Sequence, residues 1–171
     1  MATGLALAVD GDVRPLGAYA RLEWLAAPHR AASPSVRVSV ARTGATRAVP
    51  IGGTLDLTWT LAAADACVNW PIDASALVGV CASVAAGNLT FAPTGVPRGS
   101  ELSHRWLGLG AGLRYQARLT ERLFTDVGLD LASPVTRHTA FVVAANGEHL
   151  EVYRPVFLQA TVHLGVGVDF P

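Results

Sequence analysis

The sequence contains no lysine, a single methionine and only two cysteines. Charged residues make up 15% of it, well below the rough quarter that is usual in a soluble domain. Basic and acidic residues number 13 each, so the formal net charge is zero and there is no electrostatic footprint for nucleic acid. No run of ~18 apolar residues is present, which excludes a membrane-spanning helix. The densest stretch, 76–87, is broken by Gly79, Ser83 and Gly87. No charged-then-apolar leader follows Met1, so an export signal, if there is one, is expected outside the given chain. Neither C-x-x-C nor H-x-x-x-H spacing occurs, so no metal site is expected. Gly108, Gly110 and Gly112 alternate with apolar residues and open no helix, so they form no phosphate-binding loop. No catalytic residue, cofactor or enzyme activity is expected.

What is there is hydrophobicity, and it is spread out. The 171 residues are 51% hydrophobic with a mean hydropathy of +0.37: enough for one domain over 1–171, and too apolar for disorder. The spread has period two. Over 156–170 the even positions Val156, Leu158, Ala160, Val162, Leu164, Val166, Val168 and Phe170 are all apolar. The odd positions, apart from Phe157, are polar or glycine. Successive side chains of a strand point to opposite faces, so this segment has one apolar and one polar face. Over 107–119 the odd positions are apolar, from Leu107 to Leu119, and the even ones are Gly, Arg or Gln. A short turn at 120–122 leads to Leu123, Val127, Leu129 and Leu131, alternating with Phe124, Asp126, Gly128 and Asp130. This reads as a hairpin. Shorter alternations at 16–24, 36–40, 55–61 and 76–84, with a first strand at 5–9, bring the expectation to about eight strands and no helix.

Alternation also suits a soluble sandwich, or a lipocalin-like barrel with an apolar ligand inside. Three features favour the apolar face outward. The last strands run to about 13–15 residues, beyond the ~5–6 of soluble strands and long enough for the ~9–11 of a tilted membrane strand. The polar face carries both signs of charge on neighbouring strands, with Arg114 and Arg118 set to face Asp126 and Asp130 across the hairpin. Trp24, Tyr115 and Phe170 lie on the apolar face near strand ends, as an interfacial girdle would, while Trp59 falls mid-strand and Trp106 has the polar parity. The connections agree. If both ends of the chain are periplasmic, the turn at 120–122 is a short periplasmic one, and 89–103 and 134–155 become long extracellular loops rich in Pro, Gly and Asn. The connections at 28–35 and 43–53 are intermediate in length.

The segment 158–170, with Val162, Leu164, Val166, Val168 and a final Phe170, is similar to the C-terminal signal read by the barrel-assembly machinery of Gram-negative bacteria. With the alternation along most of the chain, the sequence resembles the small outer-membrane β-barrels of the OmpA/OmpX type. Pro171 after Phe170 departs from that signal. The resemblance implies an all-β, antiparallel, up-and-down transmembrane barrel of about eight strands in the outer membrane. It implies contact with outer-membrane lipid, with the assembly machinery and with other envelope proteins. The expected role is structural, anchoring or surface-binding. A narrow solute channel and a soluble lipocalin-like carrier are the alternatives.

Arg21, Glu23, Arg114, Arg118, Asp126 and Asp130 are the expected lumen residues, more as an ion-paired plug than as a selectivity lining, because eight strands enclose only room for side chains. That every basic residue is Arg suits bidentate pairing with carboxylates; a GC-rich genome gives the same bias. Cys67 and Cys81 are expected to form a disulfide in an oxidising periplasm, closing a loop of about fifteen residues worth roughly 3 kcal/mol; the alternative is two buried thiols. Of the five histidines, His29, His104, His138, His149 and His163, the last falls on the polar face of its strand and reads as a hydrogen-bonded lumen residue. Glu101, Ser103 and His104 cluster at a loop end, but strand neighbours point apart, so Ser103 and His104 do not form a nucleophile–base pair.

Overall fold

A residue pattern of period two can form a barrel only if every strand of the ring finds two neighbours, and here eight strands do. The structure, a computed structural model, describes residues 2–9, 13–25, 32–50, 52–95, 101–137, 139–143 and 149–169. In chain order the strands are β1 (Ala2–Val9), β2 (Leu16–Leu25), β3 (Ser33–Ala48), β4 (Thr54–Pro71), β5 (Ala76–Thr94), β6 (Leu102–Arg118), β7 (Leu123–Pro134), β8 (Ala140–Val143), β9 (His149–Tyr153) and β10 (Gln159–Val168). Eight of them close in the order β1-β10-β7-β6-β5-β4-β3-β2. All pairs are antiparallel, and β1 seals the ring against β10 from Ala2↔Gly167 to Val9↔Ala160. Closure leaves no strand edge to satisfy in an apolar medium. β8 and β9 form a separate hairpin inside the connection between β7 and β10.

The start of β1 and the end of β10 share one end of the barrel with the connections 25–33, 71–76 and 118–123. The connections 9–16, 48–54, 94–102 and 134–159 lie at the opposite end, called here the loop end, and the last of them is much the longest. The β4–β5 turn is held by Asp73, whose carboxylate accepts the backbone N–H of Ser75 and Ala76 at 2.7 and 2.8 Å and the Ser75 hydroxyl at 2.8 Å. The Ser75 hydrogen bonds hold its pKa below the ordinary aspartate value. At the loop end, the β3–β4 turn passes through Gly52 and Gly53 at φ of 96° and 84°, left-handed conformations that favour glycine.

Several strands are longer than their apolar alternation. β3, β4 and β5 have 16, 18 and 19 residues, and the expected long loop at 89–103 shrinks because β5 continues to Thr94. The last strand is shorter than expected, at 10 residues, starting at Gln159 rather than Val156. Phe170 and residues 28–31 of the expected 28–35 connection lie outside the described residues.

The reason for the mismatch is on the outer surface. Register aligns Val40, Ala62, Ala86 and Leu107 across β3–β6, followed by Val38, Ala64, Val84 and Leu109, then Val36, Ala66, Ala82 and Ala111. All of these point outward, with Leu109 57% exposed. On β4 the outward apolar series runs from Ala62 to Trp70. That is about nine residues at ~3.3 Å each, or some 20–25 Å of height once tilted by ~40°, close to the ~25 Å apolar band of a membrane barrel. One register step toward the loop end, the outward row is Arg42, Thr60, Asn88 and Arg105; the next is Gly44, Thr58, Thr90 and Ser103. The outer face turns polar there and stays polar.

The inner face inverts at the same level. Leu55, Leu57, Trp59, Leu89 and Phe91 point inward and are buried, so these apolar residues of β4 and β5 do not face lipid. The expectation of an outward apolar face and a polar lumen therefore holds for the terminal-end part of these strands and is reversed in the rest. Trp59 and Trp106, which fit no lipid-facing girdle, are both lumen residues. Trp24 and Tyr115 are outward, 59% and 44% exposed.

Candidate functional site

The lumen is filled in two layers of opposite chemistry. The layer toward the terminal end is ionic. Inward positions of β2, β3, β4, β6, β7 and β10 bring Arg21, Glu23, Arg37, Asp65, Arg114, Asp126, Asp130 and His163 together from strands far apart in sequence. Arg21 Nη1 donates to Asp126 Oδ2 at 2.5 Å. Arg114 pairs with Glu23, donates to Gln116 Oε1 at 2.7 Å, and places Nε 3.4 Å from Asp126 Oδ1. Asp126 has no exposed surface at all, and Arg114 is nearly as buried. Arg37 Nε donates to Asp65 Oδ2 at 3.1 Å, and Asn69 donates to Ser35 Oγ at 2.8 Å.

His163 links the layer. Its Nε2 lies 3.2 Å from Arg21 Nη2, and its Nδ1 lies 3.2 Å from Asp130 Oδ2. Arginine offers only donors, so Nε2 accepts and Nδ1–H donates to Asp130. The Nε2–Cε1 edge of the imidazole ring sits over Gly128 of β7, where a Cβ would collide with it. Trp106 lies on Gly108 in the same way. The lumen glycines are thus the floor on which the large side chains rest.

The layer toward the loop end is apolar. Leu55, Leu57 and Trp59 of β4 and Leu89 and Phe91 of β5 form its wall, with Val13 and Val49 from two connections. Val152 and Tyr153 of β9 fill it from above. The Tyr153 ring packs on Trp59 and Phe91 with centroids 6.2 and 5.5 Å apart, the first edge-to-face and the second tilted. β9 forms no ladder with the barrel wall among the described residues, so side-chain packing seats it in the mouth.

Of the six residues expected in the lumen, Arg21, Glu23, Arg114, Asp126 and Asp130 are found there. Arg118 is not in the ionic layer: parity is right for the inner face, but it sits at the last residue of β6, 54% exposed, with Nη2 3.3 Å from Asp169 Oδ2 at the rim. Arg114 meets Asp126 rather than Asp130, because the register sets Arg114 against Gly128 and Gln116 against Asp126. Cys67 and Cys81 are directly paired across β4 and β5, joined as a disulfide, and face the lumen with almost no exposure. Val162, Leu164, Val166 and Val168 point outward on β10, as an apolar series must. Ser103 is outward and exposed, whereas His104 lies on the inner side against Phe91, ring centroids 5.9 Å apart. His29 and His138 lie outside the described residues. Sequence reading missed Arg37, Asp65, Asn69 and the apolar layer. Arg37 between Val36 and Val38, and Asp65 inside a run of alanines, carry the same signal as Arg114 between Leu113 and Tyr115.

No protein-family model and no curated protein matches the chain. Solved structures do. Ail, the attachment invasion locus protein of Yersinia pestis, solved with the heparin analogue sucrose octasulfate, superposes with a TM-score of 0.60 at 15% identity, over 99% of this chain and 95% of that one. Neisserial surface protein A gives 0.59 at 14% identity, over 99% and 94%. The chain has the fold of the small eight-stranded outer-membrane β-barrels.

Proposed function

We propose that the protein is a non-conducting outer-membrane barrel that anchors or presents a binding surface, with the long connections outside the cell and the terminal end in the periplasm. The observation that carries this reading is the doubly filled lumen. An eight-stranded ring has room for little beyond its own side chains. Here that room holds the Arg21–Asp126–Arg114 cluster and, above it, the Tyr153 cap. A solute would have to break buried charge pairs and then displace a packed aromatic. The outward series Val162, Leu164, Val166 and Val168 is the part of β10 offered to the assembly machinery, and the apolar outer band is the part offered to lipid. The test is a planar bilayer recording on the refolded protein, with its folded state confirmed by faster gel migration before boiling. No conductance steps are expected. Resolved, reproducible steps from a folded sample would replace this reading with that of a narrow channel.

A further inference from the structure

The outer wall of β2–β5 is not uniform. Leu22, Val40, Ala62, Ala64, Val84 and Ala86 line an open groove of about 610 Å³ on the face turned away from the lumen. Alanines form its floor and the branched side chains form its sides. Its end nearer the loops meets the first polar row: Arg42 follows Val40 on the outer face of β3, Thr60 precedes Ala62 on β4, and Asn88 follows Ala86 on β5. Arg42 is exposed and makes no ion pair among the described residues. On the same pair of strands, the outward carboxylate of Asp56 lies two outward positions beyond it and accepts the Thr46 hydroxyl at 2.5 Å. An apolar trough therefore ends beside an exposed guanidinium that makes no ion pair among the described residues and stands in one row with a hydroxyl and an amide.

We infer that this groove and Arg42 form a site for one phosphorylated acyl lipid of the leaflet that the loops face. The chain lies in the groove and the phosphate takes the Arg42 guanidinium, with Thr60 and Asn88 as further hydrogen-bond donors. The chemistry of each end is complementary. A guanidinium presents a planar fork of donors that matches phosphate oxygens, and it does so best where water is scarce. The Arg42 stem covers apolar wall while its head reaches the headgroup level. A groove of alanines between branched residues offers a lipid chain closer van der Waals packing than a flat wall does. The inference rests on the reading that the outer wall faces lipid.

The test uses the whole refolded protein in a zwitterionic detergent and native mass spectrometry. Three probes are added in turn: diacyl phosphatidic acid, diacylglycerol with the same chains, and inorganic phosphate. One retained phosphatidic acid per barrel is expected, with at least tenfold weaker retention of diacylglycerol and none of phosphate. Arg42→Ala and, separately, Ala64→Leu, which fills the groove from an outward position that tolerates a larger apolar group, should each reduce retention at least fivefold. Arg122→Ala at the opposite rim should leave it unchanged. Equal retention of phosphatidic acid and diacylglycerol, or no effect of Arg42→Ala with the gel shift intact, would overturn the site. A protein that stays monodisperse without detergent would instead overturn the lipid-facing wall itself.

Discussion

Asp126→Asn is the substitution with the largest expected cost, and its size follows from who is left behind. The carboxylate is fully buried and faces three groups: Arg21 at 2.5 Å, Arg114 Nε at 3.4 Å and His163 Nε2 at 3.7 Å. Removing its charge does not strand both arginines. Arg114 keeps Glu23. Arg21 keeps the imidazole, which carries no compensating charge when its Nε2 is an acceptor, and the neutral Tyr19 ring 5.0 Å away. One buried cation is then uncompensated, which costs about 3–5 kcal/mol. The rim pair Arg118–Asp169 gives the internal comparison: it is 54% and 42% exposed, so Asp169→Asn should cost under about 1 kcal/mol. Urea titration of barrels folded into lipid vesicles, followed by tryptophan fluorescence and by the boiled–unboiled gel shift, measures both. An Asp126→Asn protein within about 1 kcal/mol of wild type, or an equal loss for Asp169→Asn, would refute the view that the ionic layer is a tightly coupled plug.

Three further outcomes are expected. Val84→Arg, outward in the apolar band, should cost about 2–4 kcal/mol in the same titration, whereas Thr58→Arg, outward beyond the polar row, should cost about 0–1 kcal/mol; equal costs would erase the inferred band edge. Replacing both Cys67 and Cys81 by alanine should lower stability by about 3 kcal/mol in the chain-entropy estimate, read as a shift of the urea midpoint under non-reducing conditions. Tyr153→Ala should loosen the hairpin that carries it, so that trypsin cuts after Arg137 at least about tenfold faster, the effect of ~1.4 kcal/mol of local stability. The Tyr153→Ala lumen should still pass no current, because the Arg21–Asp126 layer lies deeper; current in that variant would show that the apolar cap alone is the seal.

The barrel itself was legible where a strand meets one pair of environments along its whole length. On β10, the exposed outer wall lies on one side and the small or polar lumen on the other from Ala160 to Val168, so apolar parity and outward parity coincide. β4 and β5 are different. Each remains in one unbroken ladder while its surroundings change, so the apolar set passes from the inner face at Leu57 and Trp59 to the outer face at Ala62 and Ala64. A pattern read over 55–61 alone has the period right and the direction wrong. Depth is hidden in the same way. Parity places Arg118 on the inner face with Arg114, but only the strand's end shows that one is in the plug and the other at the rim. Partners on different strands, such as Arg37 and Asp65, which stand directly opposite each other, are invisible until β3 and β4 are aligned.

The disulfide has a consequence for the order of events in the life of the chain. Cys67 and Cys81 are 4% and 2% exposed and face a lumen that side chains fill from both ends. No oxidant the size of a small thiol, still less a folded oxidoreductase, fits between them and the finished wall. Their two thiols must lose their hydrogens while the sequence 67–81 is still accessible, before the ring shuts. The β4–β5 hairpin is then already stapled in register when the remaining strands arrive, and the finished barrel keeps, out of reach of any later reductant, a record of the compartment it crossed while still open.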